Sequence, residues 1–166
     1  MNFIKLTLIG EGRMKQNGEK QMIRSLIVAG ALVLSGAAVI AQVSAIGERQ
    51  AVMKGVGKAT GDLGKMVKGE TPFDLAKAQE SFNVYIAAAK KMPSLFPDDS
   101  KTGAKTGALP KIWEAKEDFN AKFEQFGKDA AAALASVKDD ASLKAAFPSI
   151  GKNCGGCHES YRAKES

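Results

Sequence analysis

The chain has 166 residues, with 24 Lys/Arg against 18 Asp/Glu, two cysteines and a single histidine. Those three Cys/His donors are one short of a four-ligand zinc site. Once an N-terminal leader is set aside, 19 basic and 16 acidic residues leave a net charge of +3, too small an excess to argue for nucleic-acid binding.

The leader is read from Ser25 to Ala41, a nearly unbroken apolar run preceded by Lys15, Lys20 and Arg24. That is the pattern of a secretory signal peptide. Val43 and Ala45 supply small residues three and one positions before a cut after Ala45, with Ala41 as the second choice. A run of about 17 residues rich in Ala and Gly is short for a stable membrane span, so none is expected in the mature chain. The polar stretch before Met22 is more than a signal peptide needs, so Met14 or Met22 also serves as a start. Residues 46–166 then form one domain of a size that supports a single core.

Every long segment of that domain repeats its apolar residues at three- and four-residue steps, and none alternates. The expected class is all-α. The first helix, about 46–68, aligns Met53, Val56, Thr60, Leu63 and Val67 and ends near Gly69. It is short of bulky residues. Pro72 breaks the chain and Asp74 is placed to cap a second helix. That helix turns Leu75, Ala78, Phe82, Tyr85, Ala89 and Met92 inward until Pro93 stops it.

From Pro93 to Pro110 the sequence turns to Asp, Ser, Thr, Gly and Lys, which marks one long connection. A third helix starts at Pro110 or Lys111 and carries Phe119, Phe123, Phe126, Ala130, Ala133 or Leu134, and Val137. A fourth, about 141–163, carries Leu143, Phe147, Ile150, Cys154, Cys157 and Tyr161 on one stripe. Pro148 lies within it and predicts a kink or restart, because proline lacks the backbone donor and crowds the preceding turn. Together the segments predict an antiparallel four-helix bundle.

Cys154, Gly155, Gly156, Cys157 and His158 form a C-x-x-C-H pattern. Two thiols at that spacing can form thioethers to the vinyl groups of a haem while the next residue reaches the iron. One turn of helix places both cysteines on one side, and the following histidine is rotated beneath the ring they tether. Two glycines keep the surface clear for the porphyrin edge. A thiol-disulfide redox pair usually opens a helix in a βαβ unit, whereas this pair lies near the end of the last helix. A structural disulfide closing so short a loop adds little stability. Covalent haem c on Cys154 and Cys157, with His158 as proximal iron ligand, is the expected chemistry.

The chain resembles the class II cytochromes c, which include cytochrome c′ and low-spin cytochromes of the c-556 type. The likeness rests on the C-x-x-C-H pattern near the C-terminus, on Tyr161 and Arg162 after it, and on Pro110, Lys111, Ile112 and Trp113 at the start of the third helix. Arg49 four residues before Met53 and the link from Lys68 to Asp74 add to it. The resemblance implies a cytochrome c′-like bundle with haem between helices, in the periplasm and often as a homodimer. It also splits over the sixth iron position, into five-coordinate high-spin proteins that bind NO or CO and six-coordinate His/Met electron carriers.

Three methionines, Met53, Met66 and Met92, carry thioethers able to bind iron. Met66 lies about 220° around the helix from Met53, and Met92 sits at a helix end beside Pro93. The resemblance places Met53 on the distal side of the haem and Arg49 toward a propionate. Gly55 and Gly57 would let helix and haem approach closely. Arg162, four residues after His158, can lean over the proximal imidazole. Trp113 either walls the haem pocket or staples the third helix to the bundle, and the second is the preferred expectation. Lys152 and Lys164 would steer an acidic redox partner near the haem edge. No nucleophile with a base, no carboxylate pair and no phosphate loop stands out, so a non-enzymatic carrier is expected.

Overall fold

The computed structural model describes residues 44–164 except Gly103. The leader expected over 1–45 lies, but for its last two residues, outside the described residues. Among the described residues there are five α-helices: α1 over 44–67, α2 over Leu75–Lys91, α3 over Lys111–Glu114, α4 over Lys116–Ser136 and α5 over Asp140–Tyr161. The four long ones form the bundle, and α3 is a single turn at the head of α4. Among the described residues no helix is long and apolar enough to cross a membrane.

Each helix end has a visible cause. Gly69 takes a φ of 75° and ends α1, while the amides of Gly69 and Glu70 reach back to the carbonyls of Met66 and Lys65, both at 2.9 Å. A glycine in the left-handed region lets the chain turn while those last carbonyls stay bonded. The Asp74 carboxylate accepts from the Lys77 amide and starts α2, with Lys90 and Lys91 favourably placed at its negative C-terminal end. Asp139 and Ser142 exchange side-chain and backbone hydrogen bonds in a capping box that starts α5.

The core runs along the faces the periodicity marks. Leu63, Ala78, Phe82, Tyr85, Phe119, Phe123, Phe126, Ala130, Leu143, Ile150 and Tyr161 are buried. Most of the ring contacts come from α4, where Phe119 sits 4.7 Å from Phe96, 5.2 Å from Phe123 and 5.2 Å from Tyr161 between ring centroids. α2 lies on α4 so closely that a Cβ at Gly127 would stand 3.1 Å from the Ala89 methyl. The long connection folds into two 3-10 turns, Met92–Leu95 and Asp98–Ser100, and inserts Leu95 and Phe96 into the core.

Two local expectations change, and of the kink or restart expected at Pro148 the restart is ruled out. Leu75 is 38 % exposed rather than inward, because it is the first residue of α2 and lies beyond the neighbouring helices' reach. The third helix is interrupted at Ala115, whose ψ of 51° separates α3 from α4. There the indole N–H of Trp113 donates to the Pro97 carbonyl at 3.1 Å and Lys116 donates to the Phe96 carbonyl at 3.0 Å. These bonds tie the turn to the connection, the stapling role expected of Trp113. α5 does not restart at Pro148 but runs through it. Pro148 is exposed, so the carbonyl it leaves without a helical partner faces water and the interruption costs less than in a core.

Candidate haem site

The attachment motif occupies the last two turns of α5. At about 100° per residue, Cys154, Cys157 and His158 fall within an arc of roughly 100°, which also contains Ile150 and Tyr161. Both thiols are half-buried against the core and neither is in a disulfide, and His158 is exposed at the edge of that arc. Burial pushes both thiol pKa values up. Partial burial and then the nearby Arg162 cation hold His158 below the ordinary imidazole value, which favours the neutral form a metal ligand must take. Gly155 and Gly156 have no atom within 4 Å of a Cβ built on them, so the surface beside the thiols is open.

The end of α5 is held from two directions. The connection runs past it, with Leu109 donating to the Tyr161 carbonyl at 3.0 Å and Ala163 donating to the Gly107 carbonyl at 2.8 Å. The Tyr161 hydroxyl donates to Asp118 at the head of α4 at 2.5 Å, and this bond comes first among the causes that lift its pKa to about 12. Arg162 caps α5 through its amide to the His158 carbonyl at 3.1 Å, which fixes it one turn beyond the imidazole. Lys152 and Lys164 are both exposed on this part of the chain.

Across the bundle, α1 and α2 supply the facing side. Met53 is half-buried, while Met66 and Met92 are each 3 % exposed and fully enclosed by packing. Thr60 on α1 and Tyr85 on α2 join their hydroxyls at 2.8 Å. Tyr85 is fully buried and close enough to Cys154 for the two to interact electrostatically; burial is the main cause that lifts its pKa to about 12. Sequence reading placed both residues on inward stripes without pairing them. The available signal was two side chains with polar tips at core positions of neighbouring helices.

Arg49 is the most unusual group of the site. It is only 5 % exposed, and its guanidinium lies 4.4 Å from the Phe96 ring centroid and donates through Nη2 to the Ser100 carbonyl at 3.0 Å. Its Nε and Nη1 are buried with no hydrogen-bond partner, and burial lowers its pKa. Desolvated donors without a partner are costly and fit an anionic oxygen ligand better than any protein group nearby.

The family model described as Cytochrome C′ matches residues 44–162. The chain belongs to that family. It is 44 % identical to cytochrome c′ of Rhodopseudomonas palustris over 144 residues, covering 87 % of this chain and 99 % of that one. It is 40 % identical to cytochrome c-556 of the same organism over 148 residues, with coverages of 87 % and 99 %. The solved structure of R. palustris cytochrome c′ superposes with a TM-score of 0.72 at 46 % identity, covering 74 % of this chain and 98 % of that one. Membership brings one covalently attached haem c with its iron. The donors described above suit that group: a thiol pair for two thioethers, an imidazole beside it whose neutral form is favoured, and an enclosed guanidinium with N–H groups to spare.

Proposed function

We propose that the chain is a periplasmic one-electron carrier, exported by residues 1–45, in which Cys154 and Cys157 hold the haem, His158 is the proximal ligand and Met53 the distal one. The observation that carries the reading is the contrast among the methionines of the described helices: Met66 and Met92 are locked in packing, whereas Met53 is half-buried on the α1 stripe that includes Thr60. A thioether there supplies the sixth ligand that distinguishes a carrier from an open iron site and raises the potential. When bound, the haem supplies reversible one-electron chemistry at iron, and the chain's residues do the rest. α5 presents the thiols and imidazole on one rigid arc, and the aromatic core of α4 excludes water behind them. Arg49 offers its unpartnered Nε and Nη1 to a propionate, and Arg162 stands beside the imidazole and limits access from that side. The packed bundle keeps rearrangement small when the charge changes. No residue set for bond-making catalysis is part of this reading.

A second reading is a five-coordinate protein that binds NO or CO past Met53. It is favoured by the packing of Met53 against the core, which a filler side chain would also show. Absorption spectra of the oxidised and reduced haem-loaded protein, native and Met53→Ala, separate the two. Low-spin spectra with a far-red Met-to-iron band that the substitution abolishes support the carrier. High-spin spectra in both proteins overturn it in favour of gas binding. N-terminal sequencing of the exported protein tests the leader, with Ile46 expected first.

A further inference from the structure

Each attachment cysteine has a tyrosine beside it. Tyr85 on α2 lies close enough to Cys154 for the two to interact electrostatically, and Tyr161, one helical turn beyond Cys157 on α5, interacts in the same way with Cys157. Both residues are enclosed, Tyr85 completely and Tyr161 to 3 % exposure. The chain thus sets one phenol beside each sulfur that joins the haem.

The two differ in what faces the hydroxyl. Thr60 donates to the Val56 carbonyl at 2.9 Å, so in its contact with Tyr85 at 2.8 Å the phenol is the donor and a neutral alcohol the acceptor. Tyr161 donates instead to Oδ2 of Asp118, a carboxylate that is more than half exposed to solvent and lies 3.9 Å from Lys122. Around the Tyr161 ring stand Phe119, 5.2 Å away, and the Lys111 ammonium, 5.9 Å from the centroid. Both phenols keep their protons up to about 12. At neutral pH an electron can therefore leave either ring only if the proton leaves with it, because a phenol radical cation is a strong acid and an isolated charge in a packed core is costly. Asp118 can take that proton as a base and share it with water. Thr60 cannot.

We propose that Tyr161 and Asp118 form a proton-coupled electron donor to the haem, used when a hydroperoxide reacts at the iron. A phenol does not reduce the ferric iron of a carrier, so the oxidant must be one that removes two electrons at a single iron, and a hydroperoxide is of that class. It takes up two electrons and two protons, its O–O bond breaks, and it leaves as an alcohol, or water, and a further water. Tyr161 replaces one of those electrons. Its O–H bond breaks, the proton goes to Asp118 Oδ2, and a neutral phenoxyl radical remains, which the Lys111 ammonium does not repel. The other electron comes from a one-electron reductant in solution, and a second equivalent of that reductant restores Tyr161 as the proton returns from Asp118. The inference needs the attached haem but goes beyond the carrier reading and holds whether or not Met53 binds the iron.

The test uses ferric haem-loaded protein, native and Met53→Ala, since the second has no thioether on the distal side under either reading. Each is mixed with hydrogen peroxide and frozen for electron paramagnetic resonance. An organic radical is expected whose spectrum narrows when the protein carries ring-deuterated tyrosine. It should be lost in Tyr161→Phe and kept in Tyr85→Phe. Asp118→Asn keeps a hydrogen-bond acceptor but no base, so the radical should form about a hundredfold more slowly there while the haem spectrum before peroxide stays native. Trapping with a nitroso compound followed by peptide mass spectrometry should place the adduct on Tyr161 without any substitution at that position. A radical that survives Tyr161→Phe, an adduct on Tyr85, equal rates in native and Asp118→Asn protein, or no radical even in Met53→Ala would each overturn the proposal. The carrier reading fails separately, by high-spin spectra of native protein before any peroxide is added.

Discussion

The two halves of the bundle are built differently. α4 and α5 meet through the Phe119 and Tyr161 rings, with Phe96 of the connection and Phe123 of α4 itself also against Phe119, and through polar bolts at Asp129–Asn153 and Asp118–Tyr161. α1 carries glycines at 55, 57, 61 and 64, and a Cβ built on the first three would meet no atom within 4 Å. Its ties to the rest of the bundle include single polar contacts, Arg49 to Ser100 and Thr60 to Tyr85. On the proposed reading, the side that holds the cofactor is thus rigid, while the side that supplies the sixth ligand is lightly built. A small change in α1 can alter ligation without disturbing attachment, which fits a family containing both cytochrome c′ and cytochrome c-556.

The largest effect should come from breaking the ring contacts. Phe119→Ala removes a ring that is 2 % exposed and leaves a cavity between three aromatic neighbours, at a cost of about 3–5 kcal/mol. Val56→Ala on α1, deleting less from a thinner layer, should cost only about 1–2 kcal/mol. Urea unfolding of the two haem-loaded variants checks the pair, and equal losses would remove the contrast between the halves.

The joint between the halves is Tyr85. Tyr85→Phe removes the bond to Thr60 and should cost about 1 kcal/mol near neutral pH. The same variant changes the alkaline limb. In the folded protein Tyr85 keeps its proton up to about 12, against about 10 for an ordinary tyrosine. Its contribution is therefore complete below pH 10 and is lost as pH rises from 10 towards 12, because there the unfolded chain releases a proton that the folded one holds. Stability measured at pH 8, 10, 11 and 12 should fall less steeply in Tyr85→Phe than in native protein. Tyr161, also raised to about 12, leaves part of the slope in place.

Much of this was legible in the sequence where one residue's chemistry dominates its surroundings. Asp74 and Gly69 fix the ends of helices through their own hydrogen-bonding and backbone preferences, and the three-four spacing of Phe119, Phe123 and Phe126 can serve only a helix buried on one side. The Cys154, Cys157 and His158 spacing carries its geometry within one helix. What was not legible depends on neighbours distant in sequence. The break at Ala115 follows from bonds made by Trp113 and Lys116 to carbonyls at 96 and 97. The passage of α5 through Pro148 follows from which side of the bundle faces water, and the orphaned N–H groups of Arg49 follow from Phe96 and Ser100 closing over it. Each is a tertiary choice among locally acceptable alternatives.

The smallest effect is the sharpest test of the lightly built half. Gly55 and Gly57 both sit in helical backbone with space for a methyl, so either change to Ala should stabilise the chain by about 0.5–1 kcal/mol if only the protein's own atoms matter. Their directions differ. Gly57 lies about 40° from Met53 around α1 and shares its face with Thr60, whereas Gly55 points about 160° away. In the haem-loaded protein Gly55→Ala should keep the full gain and leave the absorption spectrum unchanged. Gly57→Ala should forfeit that gain and shift the Met-to-iron band, because a methyl on that face holds α1 away from the haem and lengthens the reach required of Met53. Identical spectra and equal gains for the two variants would mean that the haem does not approach the Met53 face of α1 closely enough for one methyl to matter, and ligation by Met53 would lose its structural support.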